Sequence, residues 1–85
     1  MQIEKAFGLA LRNLRKERKL SQEQLAEFCG LHRTYISLLE RGLKSPSLST
    51  LFRISNTLAI SPHQLVFSTE QEIEKVKNQK DLIRS

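Results

Sequence analysis

The sequence predicts an all-α protein: five helices and a charged helical extension at the C-terminal end. Three observations carry this. Apolar residues recur at three- and four-residue intervals, the spacing that gathers them on one helix face. Residues that cap helices stand where each apolar stripe begins and ends. Glycine and proline, which interrupt helices, number only three and two in 85 residues.

The first helix is expected over residues 3–18, with Ile3, Phe7, Ala10, Leu11 and Leu14 as its apolar stripe. Gly8 is an odd interior residue, about 1 kcal/mol less favourable than Ala, and marks a close helix contact. The basic run Arg15-Lys16-Glu17-Arg18-Lys19 ends the helix, where cations complement the helix dipole. A solvated helix end and a phosphate contact both fit it.

The second helix opens at Ser21, with Gln24 three places on, a capping-box pattern. Leu25, Ala26, Cys29 and Leu31 share a face, and Gly30 supplies the positive φ of a sharp turn. The third runs from about His32 to Arg41, closed by Gly42. It turns Ile36 and Leu39 inward and leaves Arg33, Thr34, Ser37, Leu38 and Arg41 outside. Two short helices joined by a turn, the second with a hydrogen-bonding outer face, form a helix-turn-helix shaped for a DNA major groove.

The loop Leu43-Lys44-Ser45-Pro46-Ser47-Leu48-Ser49 follows, and Pro46 forbids helix at Ser45. Ser49 is expected to cap a fourth helix over 50–58, with Leu51, Ile54 and Leu58 facing in. Ser61 at the N-cap, Pro62 at the first position and Gln64 at the third start a short fifth helix. Leu65 and Phe67 are expected to close it over the core. Residues 1–67 thus form the DNA-binding domain. Residues 68–85 form a charged extension with its own capping box at Thr69 and Glu72, and a narrow stripe of Ile73, Val76, Lys80 and Ile83. It can pack on its own domain, zip to a partner or fray.

Composition narrows the function. One cysteine excludes an internal disulfide and suits a reducing cytoplasm. No run approaches the roughly 18 apolar residues of a membrane span, and the N-terminus lacks the apolar block of a signal peptide. Residues 1–67 hold ten Lys/Arg against five Asp/Glu, whereas 68–85 balance four against four. The whole +5 charge therefore sits with the helix-turn-helix, where it attracts phosphate. An enzyme reading finds little: Cys29 faces inward, and His32 and His63 lie at different helix starts with no carboxylate pair or cysteine cluster nearby. No cofactor, metal or small-molecule ligand is expected.

The stretch Leu20 to Gly42, L-S-Q-E-Q-L-A-E-F-C-G-L-H-R-T-Y-I-S-L-L-E-R-G, resembles the signature of the XRE/Cro-type helix-turn-helix family, which includes phage repressors and restriction-modification controller proteins. P-S-L-S-T-L-F-R-I-S-N-T-L is similar to that family's fourth helix, and the likeness covers about residues 7–67. It implies a five-helix, lambda-repressor-like fold with residues 33–41 in the major groove. By motif position, Arg33, Thr34, Ser37 and Leu38 would read bases. Gln22 would grip a phosphate and brace the reading helix, and Tyr35 and Arg41 would meet the backbone or flanking bases. His32 reads as an N-cap or solvent residue that can also reach a phosphate, and Lys44 is the candidate for a backbone contact in a loop that lacks the basic residue several relatives carry before the fourth helix. Arg15 and Glu40 would form a buried ion pair.

The side-chain chemistry agrees independently. The arginine fork fits guanine's two acceptors, and threonine offers a hydroxyl to several bases and a methyl to thymine. Tyr35 can donate to a phosphate or pack at the core's edge; Leu38 can touch a thymine methyl or cover the next helix.

The expected function is a sequence-specific regulator of transcription: a homodimeric repressor or autoregulator on a pseudo-palindromic operator. Leu58, Ile60, Leu65, Val66 and Phe67, with or without Ile73 and Val76, would supply the dimer surface. The alternative is an antitoxin or partner-dependent adaptor whose 68–85 tail binds another protein.

Overall fold

Four chain reversals of one kind set the course of the backbone. In the computed structural model, which describes residues 1–84 and the side chains of 1–77, the helices are α1 (Ile3–Glu17), α2 (Gln22–Cys29), α3 (Arg33–Glu40), α4 (Leu48–Thr57) and α5 (Pro62–Arg84). Each of the first four ends on a left-handed residue: Lys19, Gly30, Gly42 and Ala59, with φ of 58°, 69°, 73° and 58°. At each, two N–H groups reach back to carbonyls of the last helical turn. Gly42 and Leu43 donate to Leu39 and Leu38; Ala59 and Ile60 donate to Asn56 and Ser55. The helix ends are thereby satisfied and the chain reverses within a few residues.

Ser21 caps α2 as a complete capping box, its hydroxyl accepting from Gln24 N–H while the Gln24 side chain accepts from Ser21 N–H. The start of α4 differs from expectation. Ser47, not Ser49, is the N-cap, its Oγ accepting from Thr50 N–H at 3.2 Å. Pro46 excludes helix only from the residue before it, so the helix can open directly after Ser47. Leu48 then joins it and points outward.

The core gathers Phe7, Leu11, Leu25, Ala26, Cys29, Ile36, Leu39, Ile54, Leu58 and Leu65. At roughly 1.5–3 kcal/mol for each large side chain buried, these contacts are the main force closing the bundle. Gly8 lets α1 lie directly on the end of α3. A Cβ there would sit 2.5 Å from both the Leu39 and Glu40 carbonyl oxygens. Arg18 Nε donates to the Leu58 carbonyl at 2.8 Å and ties the end of α1 to the end of α4.

The fifth helix is long, not short. It crosses residue 68 without a break, because no Gly or Pro follows Pro62. Thr69 is not an N-cap. It is buried, and its hydroxyl donates to the Leu65 carbonyl one turn earlier. The stretch of α5 from Ser68 to Lys75 lies against α1, where Asn13 Nδ2 donates to Glu72 at 3.5 Å. Ile73 and Val76 are half-buried; Lys80 and Ile83 lie outside the described side chains. Two further expectations are corrected. Phe67 is 56% exposed and does not close over the core, and Ile3, placed in the α1 stripe, is 62% exposed.

Candidate nucleic-acid interface

A buried polar knot holds α3 at a fixed angle to α1 and α2. Arg15 Nε and Nη2 donate to the two carboxylate oxygens of Glu40 at 2.6 and 2.9 Å. Its Nη1 donates to the Leu20 carbonyl at 2.8 Å. Gln22 Nε2 donates to the same Glu40 oxygen as Arg15 Nη2, at 3.0 Å. The hydrogen bond and charge of Glu40 hold the guanidinium above its ordinary pKa, outweighing burial, which acts the other way. Every buried side-chain donor and acceptor here is satisfied, the condition under which a buried ion pair is tolerated.

Ile36, Leu39 and Glu40 take up the inner face of α3, so its outer face is fixed by default. Arg33 and Thr34 are exposed at its first turn, and Ser37 and Leu38 stand half-buried one turn on. His32 occupies the N-cap position with its side chain in solvent and makes no side-chain cap bond. Tyr35 packs partly against the core. Arg41 and Lys44 are exposed at the far end, and neither they nor Arg33 meet a carboxylate within ion-pair distance among the described residues. Gln22 starts α2 beside the knot. The structure thus gathers the expected residues on and around one helix.

Residues 11–65 match the family pattern described as Helix-turn-helix, HTH_3. That span runs from mid-α1 into α5 and contains the whole of α2, α3 and α4. The chain belongs to the XRE/Cro-type helix-turn-helix family.

Relatives within this helix-turn-helix family agree along most of their length. The control protein C.BamHI of Bacillus amyloliquefaciens is 42% identical over 73 residues, 84% of this chain and 90% of its own. Among solved structures, the clp gene regulator ClgR of Corynebacterium glutamicum superposes with a TM-score of 0.91 at 28% identity, over 99% of this chain and 89% of that one. The biofilm master regulator SinR, crystallised in complex with DNA, does so with a TM-score of 0.68 at 36% identity, over 71% of this chain and 97% of that one.

Sequence reasoning placed two residues on the helix-turn-helix dimer surface that cannot be there. Leu58 and Leu65 are fully buried in the protomer's own core. They would have to leave it to reach a partner. It also passed over two exposed apolar residues, Leu48 and Phe52, 71% and 55% exposed and one turn apart on α4. Moving the cap to Ser47 is what would have revealed Leu48. Among the described residues no helix is long and apolar enough to cross a membrane, and no group of three or more metal-ligating side chains occurs.

Proposed function

We propose that this protein is a sequence-specific transcriptional regulator that represses by occupying a promoter as a homodimer. The observation that carries the reading is the division of α3: an inner face locked by Ile36, Leu39 and the Glu40 knot, and an outer face of Arg33, Thr34 and Ser37 whose side chains have no hydrogen-bond partner among the described residues. Arg33 and Thr34 read base edges from the first turn, with Ser37 and Leu38 one turn later. Gln22, His32, Tyr35, Arg41 and Lys44 hold the backbone or flanking bases. The +5 charge supplies the non-specific attraction. The names and complexes of the relatives, a control protein, a gene regulator and a DNA-bound master regulator, support the same reading.

One module covers half a site, so two copies are expected on a pseudo-palindrome with half-sites about 34 Å apart. Leu48 and Phe52 of α4 and Val66 and Phe67 of α5 offer the apolar surface for it, with Ile60 beside the core. The adaptor alternative draws no support from the relatives.

Selection of bound sequences from a pool of random duplex DNA tests the reading. Two half-sites related by two-fold symmetry and about one turn apart are expected. Failure to enrich any sequence would overturn the specific-regulator reading, and a single asymmetric site would overturn the dimer.

A further inference from the structure

Lys5 belongs to neither helix of the helix-turn-helix, yet its stem lies across the turn that ends α3. A Cβ on Gly42 would sit 2.6 Å from Lys5 Cγ and 2.8 Å from Lys5 Cα. The same glycine has φ of 73°, so the turn and the close approach of α1 both require it. Lys5 and Arg41 line one cleft of about 290 Å³, together with Met1, Leu9 and Glu40. Lys44 stands two residues beyond the glycine. The acids nearby are occupied. Glu40 is held by Arg15 and Gln22, and Glu4 accepts from Ser45 Oγ at 3.5 Å. No carboxylate lies within ion-pair distance of Lys5, Arg41 or Lys44 among the described residues.

Cations drawn from two elements around one turn repel one another, and an anion among them relieves this. The place of that anion follows from the length of α3. From Arg33 to Arg41 the helix advances about 12 Å at 1.5 Å per residue, about the width of a major groove. With its first turn at the bases, its far end stands at the groove wall, where the phosphates run.

We infer that Lys5, Arg41 and Lys44 form a clamp on the DNA backbone, with Lys5 the member that α1 supplies. The inference rests on the proposed DNA-binding role and adds a contact from outside the helix-turn-helix. Because α1 is tied to α3 through Gly8 and Arg15, a phosphate held by Lys5 fixes the tilt of α3 in the groove as well as adding affinity.

The test is a salt series on the full chain, with the selected duplex and a random duplex, for wild type, Lys5→Gln, Lys5→Arg and Lys75→Gln. Lys75 is a cation on α5 that pairs with Glu72 and controls for net charge. Lys5→Gln should flatten the plot of log affinity against log salt by about 0.9 per protomer on both duplexes. Lys5→Arg and Lys75→Gln should keep the wild-type slope. A Lys5→Gln slope equal to wild type, or an equal loss in Lys75→Gln, overturns the clamp while leaving the regulator reading intact. Absence of wild-type binding to any duplex overturns the regulator reading itself. Inorganic phosphate is the other source of this chemistry. Phosphate that competes with DNA at constant ionic strength on wild type but not on Lys5→Gln supports the clamp. Phosphate that binds wild type and not Lys5→Gln, while the DNA salt slope is the same in both, means that the site takes a free anion and the DNA clamp falls.

Discussion

Arg15 and Glu40 face each other as a two-point fork, Nε to Oε2 at 2.6 Å and Nη2 to Oε1 at 2.9 Å, with both side chains nearly removed from solvent. The pair joins the first helix to the last residue of the third, and Gln22 extends it to the second. Three helices thus meet at one carboxylate.

Removing that carboxylate strands the guanidinium in the interior. Glu40→Ala should lower stability by about 3–5 kcal/mol, a large part of what a domain this size has. DNA affinity should fall only in proportion to the unfolded fraction. A thermal melt as stable as wild type would show that the fork contributes nothing.

Gly8→Ala should destabilise, against the helix scale that favours Ala by about 1 kcal/mol. The new methyl meets two backbone carbonyls at 2.5 Å, and backbone cannot step aside as a side chain can. A loss of about 1–3 kcal/mol is expected from such overpacking, read as a lower urea midpoint. A gain would mean that α1 and α3 do not touch at this point.

Arg33→Ala should lose discrimination at one base pair, about 1–3 kcal/mol on the cognate site, while most binding to random DNA remains. Lys44→Ala should weaken all sequences alike and flatten the salt dependence. Competition binding with single-base variants of the selected site separates the two, and equal losses on cognate and random DNA would remove Arg33 from the reading face.

Phe52→Glu should yield monomers in sedimentation at concentrations where wild type is dimeric, with the fold kept, since the ring is 55% exposed in the protomer. Leu58→Glu should unfold the chain, because Leu58 has no exposed surface at all. A dimeric Phe52→Glu would move the interface elsewhere on the protein.

Burial pushes the Cys29 thiol up, with the Thr57 hydroxyl at 3.4 Å and the Arg53 charge opposing. The sign follows from proton counting. Above the ordinary thiol value the unfolded chain has released this proton and the folded chain has not, so stability falls as pH rises. Urea midpoints measured upward from about pH 8.5 should therefore decline more steeply for wild type than for Cys29→Ala. Parallel curves would show that the thiol titrates alike in both states.

Much of this was legible in the residues. Ser21, Gln24, Gly30 and Gly42 act locally, each fixing its own turn, and their roles were readable one at a time. Gly8 was recognisable as a close contact though not what it touched. Ser47 and Ser49 have the same cap chemistry two positions apart, and choosing between them needs the packing of Leu51 and Ile54. Thr69 with Glu72 resembles a helix start, yet Leu65 offers the hydroxyl an acceptor one turn back, so the helix runs on. Leu58 and Leu65 fit both the core and a dimer surface until the path of α5 over α1 is known, and the core takes both. Lys5 gave no signal, since its place beside Gly42 depends on how two distant helices cross.

The two helices most extensively packed together, α1 and α5, stand at opposite ends of the described chain. During synthesis the helix-turn-helix is complete once Gly42 has been made, but Phe7 and Leu11 still wait for Leu65, more than fifty residues away, to cover them. Closing that span is a non-local, entropy-opposed step. A nascent chain should therefore gain DNA affinity late and abruptly, when α5 leaves the ribosome. A stalled or prematurely ended product would carry every residue proposed to read bases and should still be unable to hold an operator.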